Sequence, residues 1–533
     1  MFHNNHGKHI FLYGPPGSGK TTVGELLAGQ LNLPFDDLDT LIERQAGCSI
    51  AQLFEREGEA GFRQRETHQL VEWIENKIGV LALGGGALLD SANQELVLRS
   101  GAVICLSASL SALVSRLENQ ALSRPLLAGE NYAARLEKLF HARKHHYAVF
   151  PFSVQTTGCT PDEIVQEIQR MIGWFHLPNG DTGYDVRVID EGLDILPKIL
   201  QEMGFDGNIG LVSDENVMPL YGKGLAARLE LAGFKTKSFA IPAGEKGKTI
   251  QTVSKLWEGF LSSGLDRGSM ILALGGGVVC DLAGFAAATF MRGVRWLAIP
   301  TSLLAMVDAS LGGKTGVDLP FGKNLVGSFY PPVQVVADPV VLATLPVDEW
   351  RCGLAETIKH GLLADPDLFQ DCKEMVVFNP KFREMPPEKY TDLVKRSIAV
   401  KAQFVCLDPY EKEERAALNL GHTIGHAIEL VSGYTIRHGE AVGIGMVMEA
   451  RLAERLGLAK DGLADEITTL LENLGLPAAL PQDMDRDAML TAMESDKKRR
   501  NGKVRFALPA RIGGYAFSSP SMEVVRSVME GAQ

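Results

Sequence analysis

Over the first 175 positions, short apolar runs that end in Gly-rich turns alternate with amphipathic stretches. Ile10–Tyr13, Val80–Leu83 and Ala102–Leu106 are apolar or aromatic throughout, the pattern of strands buried on both faces. From Lys20 to Leu31, Val23, Leu26, Leu27 and Leu31 recur at helical spacing. Strands alternating with helices predict a parallel sheet covered on both sides. At 173–183 the texture changes to Gly-Trp-Phe-His-Leu-Pro-Asn-Gly-Asp-Thr-Gly, whose breakers predict a linker. A second alternating region opens at Tyr184, with strands expected at Asn208–Ser213, Lys237–Ile241, Met270–Leu274 and Arg295–Ile299. Beyond Pro346 helical periodicity takes over at 347–364, 388–407, 420–432 and 439–457, and a last strand is expected at Val504–Leu508. The expected organisation is an α/β domain at 1–172, a linker at 173–183, a second α/β domain at 184–345 and a mostly helical domain at 346–533. No repeat of 20–50 residues is present.

Composition narrows the function classes. The 533 residues are 45% hydrophobic and 22% charged, ordinary globular values with length for about three or four domains. The net charge of −12 is spread along the chain, −4 of it in the first 175 residues. No basic stripe for nucleic acid exists, so an anionic substrate must be held by local cationic clusters. The seven cysteines (48, 105, 159, 280, 352, 372 and 406) form no C-x-x-C pair, which points to a reducing compartment, and a cytoplasmic location is expected. No apolar run approaches the roughly 18 residues of a membrane span, and Met1–His9 lacks an apolar leader stretch, so no membrane partner is expected. His3, His6 and His9 read as a polar terminus ahead of a metal tract.

Gly14-Pro-Pro-Gly-Ser-Gly-Lys20-Thr21 fits G-x-x-x-x-G-K-[ST] in full, between an expected strand and an expected helix. Its glycines let backbone N–H groups curl around phosphate oxygens, and the helix N-terminus adds partial positive charge. Lys20 reaches the terminal phosphates and Thr21 can ligate Mg²⁺. Asp37 and Asp39 alternate on one face of an extended segment, where one can serve Mg²⁺ and the other accept a substrate hydroxyl. Phe62-Arg63-x-x-Glu66, Gly84-Gly-Gly86, Arg124-Pro-Leu-Leu and Arg143-x-x-x-Tyr147 add cations and a turn that a ligand can approach closely. With these motifs, residues 8 to about 170 resemble shikimate kinase. The resemblance implies a P-loop fold with ATP, accompanied by Mg²⁺, on Gly17, Ser18, Gly19, Lys20, Thr21 and Thr22. It implies that Asp39, Arg63, Arg143 and Gly84, Gly85 and Gly86 hold shikimate. Asp37 and Thr21 would serve Mg²⁺, and Arg124 would be a lid arginine at the transferring phosphoryl group. Lys20, Asp39 and Arg124 would be the catalytic residues.

The densest set of metal-ligating side chains lies at 356–438. Glu356-x-x-Lys359-His360 falls in an expected helix, His422 and His426 share a helix face at i and i+4, and His438-Gly-Glu follows. A Glu with two His is a common catalytic zinc set. On spacing alone, His422 with His426 is the obvious ligand pair. Upstream, Leu274-Gly-Gly-Gly277-x-x-x-Asp281 joins a strand to an Ala/Gly-rich helix and suits a pyrophosphate, although it is not G-x-G-x-x-G. Ser310-Leu-Gly-Gly-Lys314-Thr and Gly322-Lys-Asn324 read as Gly-spaced cationic loops for a phosphorylated substrate.

With Ala288-Thr-Phe-Met-Arg292-Gly, Pro300-Thr-Ser-Leu-Leu-Ala-Met-Val-Asp308, Leu418-Asn-Leu-Gly-His422-Thr-Ile-Gly-His426 and His438-Gly-Glu-Ala-Val, residues 184–533 resemble 3-dehydroquinate synthase. This implies a Rossmann-like NAD-binding domain followed by a mostly helical metal- and substrate-binding domain. Zn²⁺ (or Co²⁺) would sit on Glu356, His422 and His438, with His426 on the substrate side. NAD would contact Asp214, Asn216, Glu245, Lys248, Gly276, Gly277, Asp281, Thr301, Ser302, Lys314 and Lys323. Substrate would meet Asp308, Lys314, Asn324, Lys359, Lys401, Arg415, Asn419, His426 and Lys497 or Lys498, the catalytic ones being Lys314, Lys359, Lys401, Arg415 and His426. Arg292 would reach across a homodimer interface. The implied pair of reactions is phosphorylation of shikimate and cyclisation of a heptulosonate 7-phosphate with loss of phosphate, which are not consecutive pathway steps. The competing readings are another small-molecule kinase fused to an NAD- and metal-dependent polyol dehydrogenase, or an ATP-sensing domain regulating the synthase. The cations Lys314, Lys401 and Arg415 argue against a neutral polyol. Asp39, Arg63 and Arg143 argue against a sensor, which needs no acceptor pocket.

Overall fold

The computed structural model describes residues 9–118, 132–179, 182–320, 322–409, 411–499 and 504–531. The chain divides into two compact units, Met1–His176 and Leu177–Gln533. The division falls inside the segment expected to be a linker.

In the first unit, strands β1 (His9–Tyr13), β2 (Phe35–Asp37), β3 (Val80–Ala82), β4 (Gly101–Ser107) and β5 (Phe152–Gln155) form one parallel sheet in the order β2-β3-β1-β4-β5. Beyond His9, β1 is apolar or aromatic, which explains this placement: Phe11 and Tyr13 face one core with Leu38, Leu70 and Trp73. Ile10 and Leu12 face the other, with Val23, Leu27 and Ile168. The chain leaves β1 through the Gly-rich turn and enters the helix Lys20–Gln30 at Gly19, whose φ of 94° a side chain would resist. The helix Pro161–Ile172 starts at a Thr160–Glu163 capping box.

The second unit is built on a seven-stranded sheet in the order β6-β7-β14-β11-β10-β8-β9. Its strands are β6 (Trp174–Asn179), β7 (Thr182–Val188), β8 (Ile209–Asp214), β9 (Thr236–Ile241), β10 (Met270–Gly275), β11 (Arg295–Pro300) and β14 (Gln334–Ala337). From β7 to β9 every pairing is parallel. The strand order reverses between β8 and β10, so a crevice is expected beyond the carboxyl ends of that pair, at Asp214 and Gly275. The linker expectation is corrected here, because 174–179 and 182–188 are strands. β6 lies at the sheet edge, where Pro178 breaks no internal ladder.

The cationic loops expected at 310–315 and 322–324 are also corrected. Lys314 opens β12 (Lys314–Leu319), which pairs antiparallel with β13 (Gly322–Phe329). A helical half follows, centred on the helix Val347–Leu363, which is buried continuously from Cys352 to Leu363. Around it lie the helices Pro387–Leu407, His422–Val431 and His438–Arg455. The expected last strand is β15 (Phe506–Arg511), paired with β16 (Gly514–Ser518). Among the described residues no helix is long and apolar enough to cross a membrane.

Candidate active sites

In the first unit, β1 and β2 flank β3 and end at the same edge of the parallel sheet, which brings the Gly-rich turn to Asp37. Thr21 Oγ1 donates to Asp37 Oδ2 at 2.9 Å, so the hydroxyl and carboxylate expected to serve Mg²⁺ are adjacent. The other Asp37 oxygen accepts the Asp39 amide at 3.1 Å and caps the next helix. Lys20 Nζ lies within its own turn, donating to the carbonyls of Gly14 and Pro15 at 2.9 and 3.1 Å.

The acceptor residues converge on Gly84–Gly86. A Cβ on Gly84 would stand 2.8 Å from Glu66 Oε1 and 3.1 Å from Asp39 Oδ1. On Gly86 it would stand 2.6 Å from Arg63 Nη2 and 3.1 Å from Arg143 Nη1. Arg143 and Tyr147 both donate to the Gly85 carbonyl, at 3.0 and 2.8 Å. Two guanidinium groups and a carboxylate thus face a turn with no side chains, a fit for a small hydroxylated carboxylate. Glu66 is buried beneath it and binds Arg63 at 2.5 Å. Burial pushes its carboxyl up to about 7, and the Arg63 charge pulls back only part of that. Ser18 is buried in the turn and Thr22 exposed beside it. Arg116 was not singled out in the sequence, yet it lies beside the phosphate loop, with Nη1 3.4 Å from the Gly17 carbonyl. Arg124 lies outside the described residues.

In the second unit, Glu356 is fully buried on the central helix, and both of its oxygens lack a hydrogen bond of ordinary geometry. His422 Nε2 and His438 Nε2 approach Glu356 Oε1 at 3.3 and 3.4 Å, and Lys359 pairs with the same carboxylate. The ligand atoms of Glu356, His422 and His438 lie within 4.8 Å of one another, as do those of His426, Glu429 and His438 and those of Asp308, Glu356 and His360. The first set fits a divalent cation best. A buried carboxylate and two imidazoles converge there, and both imidazoles hold Nε2 forward because Nδ1 is engaged behind. His422 Nδ1 meets the Leu420 carbonyl at 3.1 Å, and His438 Nδ1 meets Glu429 Oε2 at 3.3 Å. His426 stands on the same helix with its ring 5.2 Å from that of His422. The helices carrying these histidines touch backbone to backbone: a Cβ on Gly445 would lie 1.9 Å from the Gly421 oxygen.

At the carboxyl end of β10, Gly276 caps the helix Gly277–Thr289, and Thr301 N binds the Gly275 carbonyl at 2.9 Å. A Cβ on Gly276 would meet only Ser302 Oγ, at 3.5 Å, so the turn is open to a ligand. Across the crevice, Asp214 holds the amides of Asn216 and Val217 at 2.8 and 2.9 Å. Lys248, buried, links Asp281 at 2.6 Å to Asn324 at 2.5 Å, with Glu245 at 4.0 Å. Lys323 lies 3.7 Å from Glu245. These side chains form one wall that fits a dinucleotide.

Asp308 brings further cations to the cluster, since one of its oxygens lies within 4.8 Å of a Glu356 oxygen. Lys401 binds Asp308 through both its side chain and its carbonyl, and burial lowers the ammonium to about 8 against the pull of Asp308. Arg415 donates to the Pro409 carbonyl at 2.7 Å and fills the space over Gly312. Lys314 and Asn419 both meet Glu411, a carboxylate that the sequence reading missed. It stands four positions before Arg415, a spacing that marks no recognised motif by itself. Arg292 lies on an exposed turn whose φ values of 47° at Met291 and 66° at Arg292 are left-handed. Lys497 and Lys498 fall in the helix Arg486–Arg499, with their side chains outside the described residues.

The family model for shikimate kinase matches residues 16–173. The models for the 3-dehydroquinate synthase N-terminal and C-terminal regions match 238–352 and 353–499. The chain is 43% identical over 331 residues to a 3-dehydroquinate synthase of Nostoc sp. (strain PCC 7120), covering 62% of this chain and 91% of that one. It is 45% identical over 335 residues to the 3-dehydroquinate synthase of a Synechococcus strain, with the same two coverages. A solved structure of a 2-epi-5-epi-valiolone synthase from Streptomyces hygroscopicus subsp. jinggangensis 5008, with NAD⁺ and Zn²⁺ bound, superposes with a TM-score of 0.61. Its identity is 28%, over 66% of this chain and 97% of that one.

Proposed function

We propose, from the premise that this chain belongs to the 3-dehydroquinate synthase family and carries a shikimate kinase domain ahead of it, two specific reactions for a bifunctional shikimate-pathway enzyme. The first unit transfers the terminal phosphoryl group of ATP to the 3-hydroxyl of shikimate. The second converts 3-deoxy-D-arabino-heptulosonate 7-phosphate to 3-dehydroquinate and phosphate.

For the kinase, Arg63 and Arg143 bind the shikimate carboxylate and Asp39 accepts a hydrogen bond from the hydroxyl that attacks. Lys20 and the backbone of the Gly-rich turn hold the phosphates, and Thr21 with Asp37 hold Mg²⁺. For the synthase, Glu356, His422 and His438 hold a divalent metal, Zn²⁺ or Co²⁺. The wall from Asp214 to Asp281 holds NAD, contacted as well by Glu245, Lys248, Thr301 and Ser302. The metal supplies Lewis acidity at a ring hydroxyl, and the dinucleotide takes up and returns a hydride. The chain's own residues bind and orient. Lys314, Arg415, Asn324 and Asn419 hold the phosphate and carboxylate, and Lys359, Lys401 and His426 are placed at the hydroxyl side to move protons.

The observation that carries the reading is the grouping of Lys314, Lys401 and Arg415 against the Glu356–His422–His438 cluster. Lys314 and Lys401 have carboxylate partners in Glu411 and Asp308, whereas Arg415 donates to the neutral Pro409 carbonyl, so an anionic group on the substrate is a partner that a neutral polyol would not offer it. The relation to synthases of other cyclic products makes the substrate the point to test. Phosphate release should be seen with the heptulosonate phosphate and not with glucose 6-phosphate, beside ADP release that depends on shikimate. Turnover of glucose 6-phosphate alone would replace this reading. We further propose that the synthase half works as a homodimer, with the exposed Arg292 turn at its interface, which sedimentation of the full chain tests. A cytoplasmic setting is supported by cysteines that form no disulfide among the described residues.

A further inference from the structure

A continuous chain of charged side chains runs from the Gly-rich turn of β10 to the three-ligand cluster. Asp281 lies 2.6 Å from Lys248, Lys248 4.0 Å from Glu245, and Glu245 3.7 Å from Lys323. Lys323 lies 3.3 Å from Glu429, Glu429 3.3 Å from His438, and His438 3.4 Å from Glu356. Two members stand at its middle. Lys323, on β13, stands between Glu245 and Glu429 and also lies over the Tyr434 ring, 4.6 Å from its centre. Glu429 gives one oxygen, Oε1, to Lys323 and the other, Oε2, to Nδ1 of His438. It is buried, and it sits on the helix that opens with His422. Neither Glu429 nor its contact with Lys323 follows from any motif in the sequence.

The physics of this arrangement is competitive. A carboxylate that accepts from the rear nitrogen of a ligand imidazole fixes the ring and makes its front nitrogen a stronger donor. An ammonium on the same carboxylate withdraws negative charge and weakens that effect. Anything that engages Lys323 from the dinucleotide side therefore releases Glu429 to His438. The pyrophosphate or ribose of a dinucleotide on the Glu245–Lys248 wall is placed to do so.

We propose that Lys323 and Glu429 couple the two binding events, so that NAD⁺ tightens the metal at Glu356, His422 and His438 and the metal tightens NAD⁺ by the same factor. Reciprocity is required of any such linkage. The inference rests on the proposed function, which places a dinucleotide and a metal in these two positions. Lys323 and Glu429 are positioning residues in this role, since they act through His438.

The test uses the full chain stripped of metal and dinucleotide. Zinc affinity is measured by competition with a chelating dye, without NAD⁺ and at saturating NAD⁺, and NAD⁺ affinity by calorimetry with and without zinc. The wild-type chain should bind zinc about tenfold more tightly with NAD⁺ present, within the usual range of coupling between two sites, with an equal reciprocal gain for NAD⁺. Glu429→Gln and Lys323→Met should each bring the ratio to about one, whatever they do to either affinity alone. Lys246→Met, an exposed lysine outside the chain of contacts, should keep the full ratio. A merely structural role would change affinities without changing their ratio. A wild-type ratio of one with both partners bound overturns the coupling and leaves the proposed function standing, as does a full ratio retained in Glu429→Gln. Failure of the wild-type chain to bind either zinc or NAD⁺ overturns the proposed function and this inference together.

Discussion

Glu449 Oε2 accepts the amide N–H of Gly421 at 2.5 Å, across 28 positions of sequence. The bond joins the helix that carries His438 to the helix that opens with His422. Gly421 has a φ of 80° and no side chain to cap that helix itself, so the cap comes from a neighbouring helix. Glu449 is fully buried, and burial pushes its carboxyl up to about 8 although backbone amides at Gly421, Ile424 and Thr423 hold it down. Glu449→Ala should destabilise the second unit by roughly 1–3 kcal/mol through lost capping and unpaired amides, and should lower zinc retention. Glu449→Gln keeps a carbonyl acceptor and should lose much less. Equal losses for Ala and Gln, read from denaturant midpoints and metal content, would show that the cap is not the source of the effect.

The phosphate loop gives the simplest separation of the two enzymes. Lys20→Ala removes the ammonium proposed to reach the transferred group, and shikimate phosphorylation should fall by about two to four orders of magnitude. Phosphate release by the synthase should be unchanged. Equal loss of both activities in a folded variant would contradict independent sites.

His422 and His426 share a helix face, and what stands opposite each supports the different roles proposed for them. His422 faces the buried Glu356 carboxylate at 3.3 Å. His422→Ala should empty the metal site, because two protein ligands hold a divalent ion poorly. His426→Ala should retain one metal per chain and slow turnover. Elemental analysis decides, and metal lost only from the His426 variant reverses the assignment.

Glu66 gives the kinase unit a pH dependence of defined sign. Its carboxyl lies near 7 in the folded chain, against 4.5 ordinarily, so the native state binds this proton more tightly than the unfolded chain does. The associated stabilisation is fully present below about pH 4.5 and is lost as pH rises through about 7. Glu66→Gln cannot ionise. Relative to wild type, it should therefore gain on the order of 2–3 kcal/mol between pH 4.5 and 7.5, measured from urea midpoints of the first transition. A difference that does not vary with pH would refute the shifted carboxyl.

The legible parts of this molecule were those with a strict local signature. The apolar runs of β1, β4, β8 and β10 mark buried parallel strands, because burial on both faces confines polar residues to the strand ends. The turn at Gly14–Thr21 is fixed by what phosphate demands of a backbone. The sequence was silent where tertiary context decides. The hairpin β12–β13 carries Gly316, Gly322 and Gly327 and is half exposed, so no two-residue alternation betrayed it. The edge strand β6 contains a proline that a central strand would not accept. Glu411, Glu429 and Glu449 were missed for a different reason. Each acts on a residue brought to it by packing, Lys314, His438 and Gly421 in turn, and although those partners lie in quoted motifs, the three glutamates do not. The i, i+4 pair of His422 and His426 shows the opposite case. Its spacing alone does not choose between the two rings, and the carboxylate that favours His422, Glu356, comes from another helix.

The bare contact between Gly445 and Gly421 also bears on how this gene can vary. A methyl group at 445 would fall 1.9 Å from a main-chain oxygen, a distance no rotamer change relieves. Gly439 is closed in the same manner, with the Cys352 Cα 2.4 Å from where its Cβ would be. In a library that randomises every codon and selects for growth on the product of this enzyme, these two codons should come back as glycine alone. Exposed neighbours such as Leu458 should return almost anything. Drift in this half of the protein is confined from within: before any ligand is lost, the spacing between two helices sets which spellings survive.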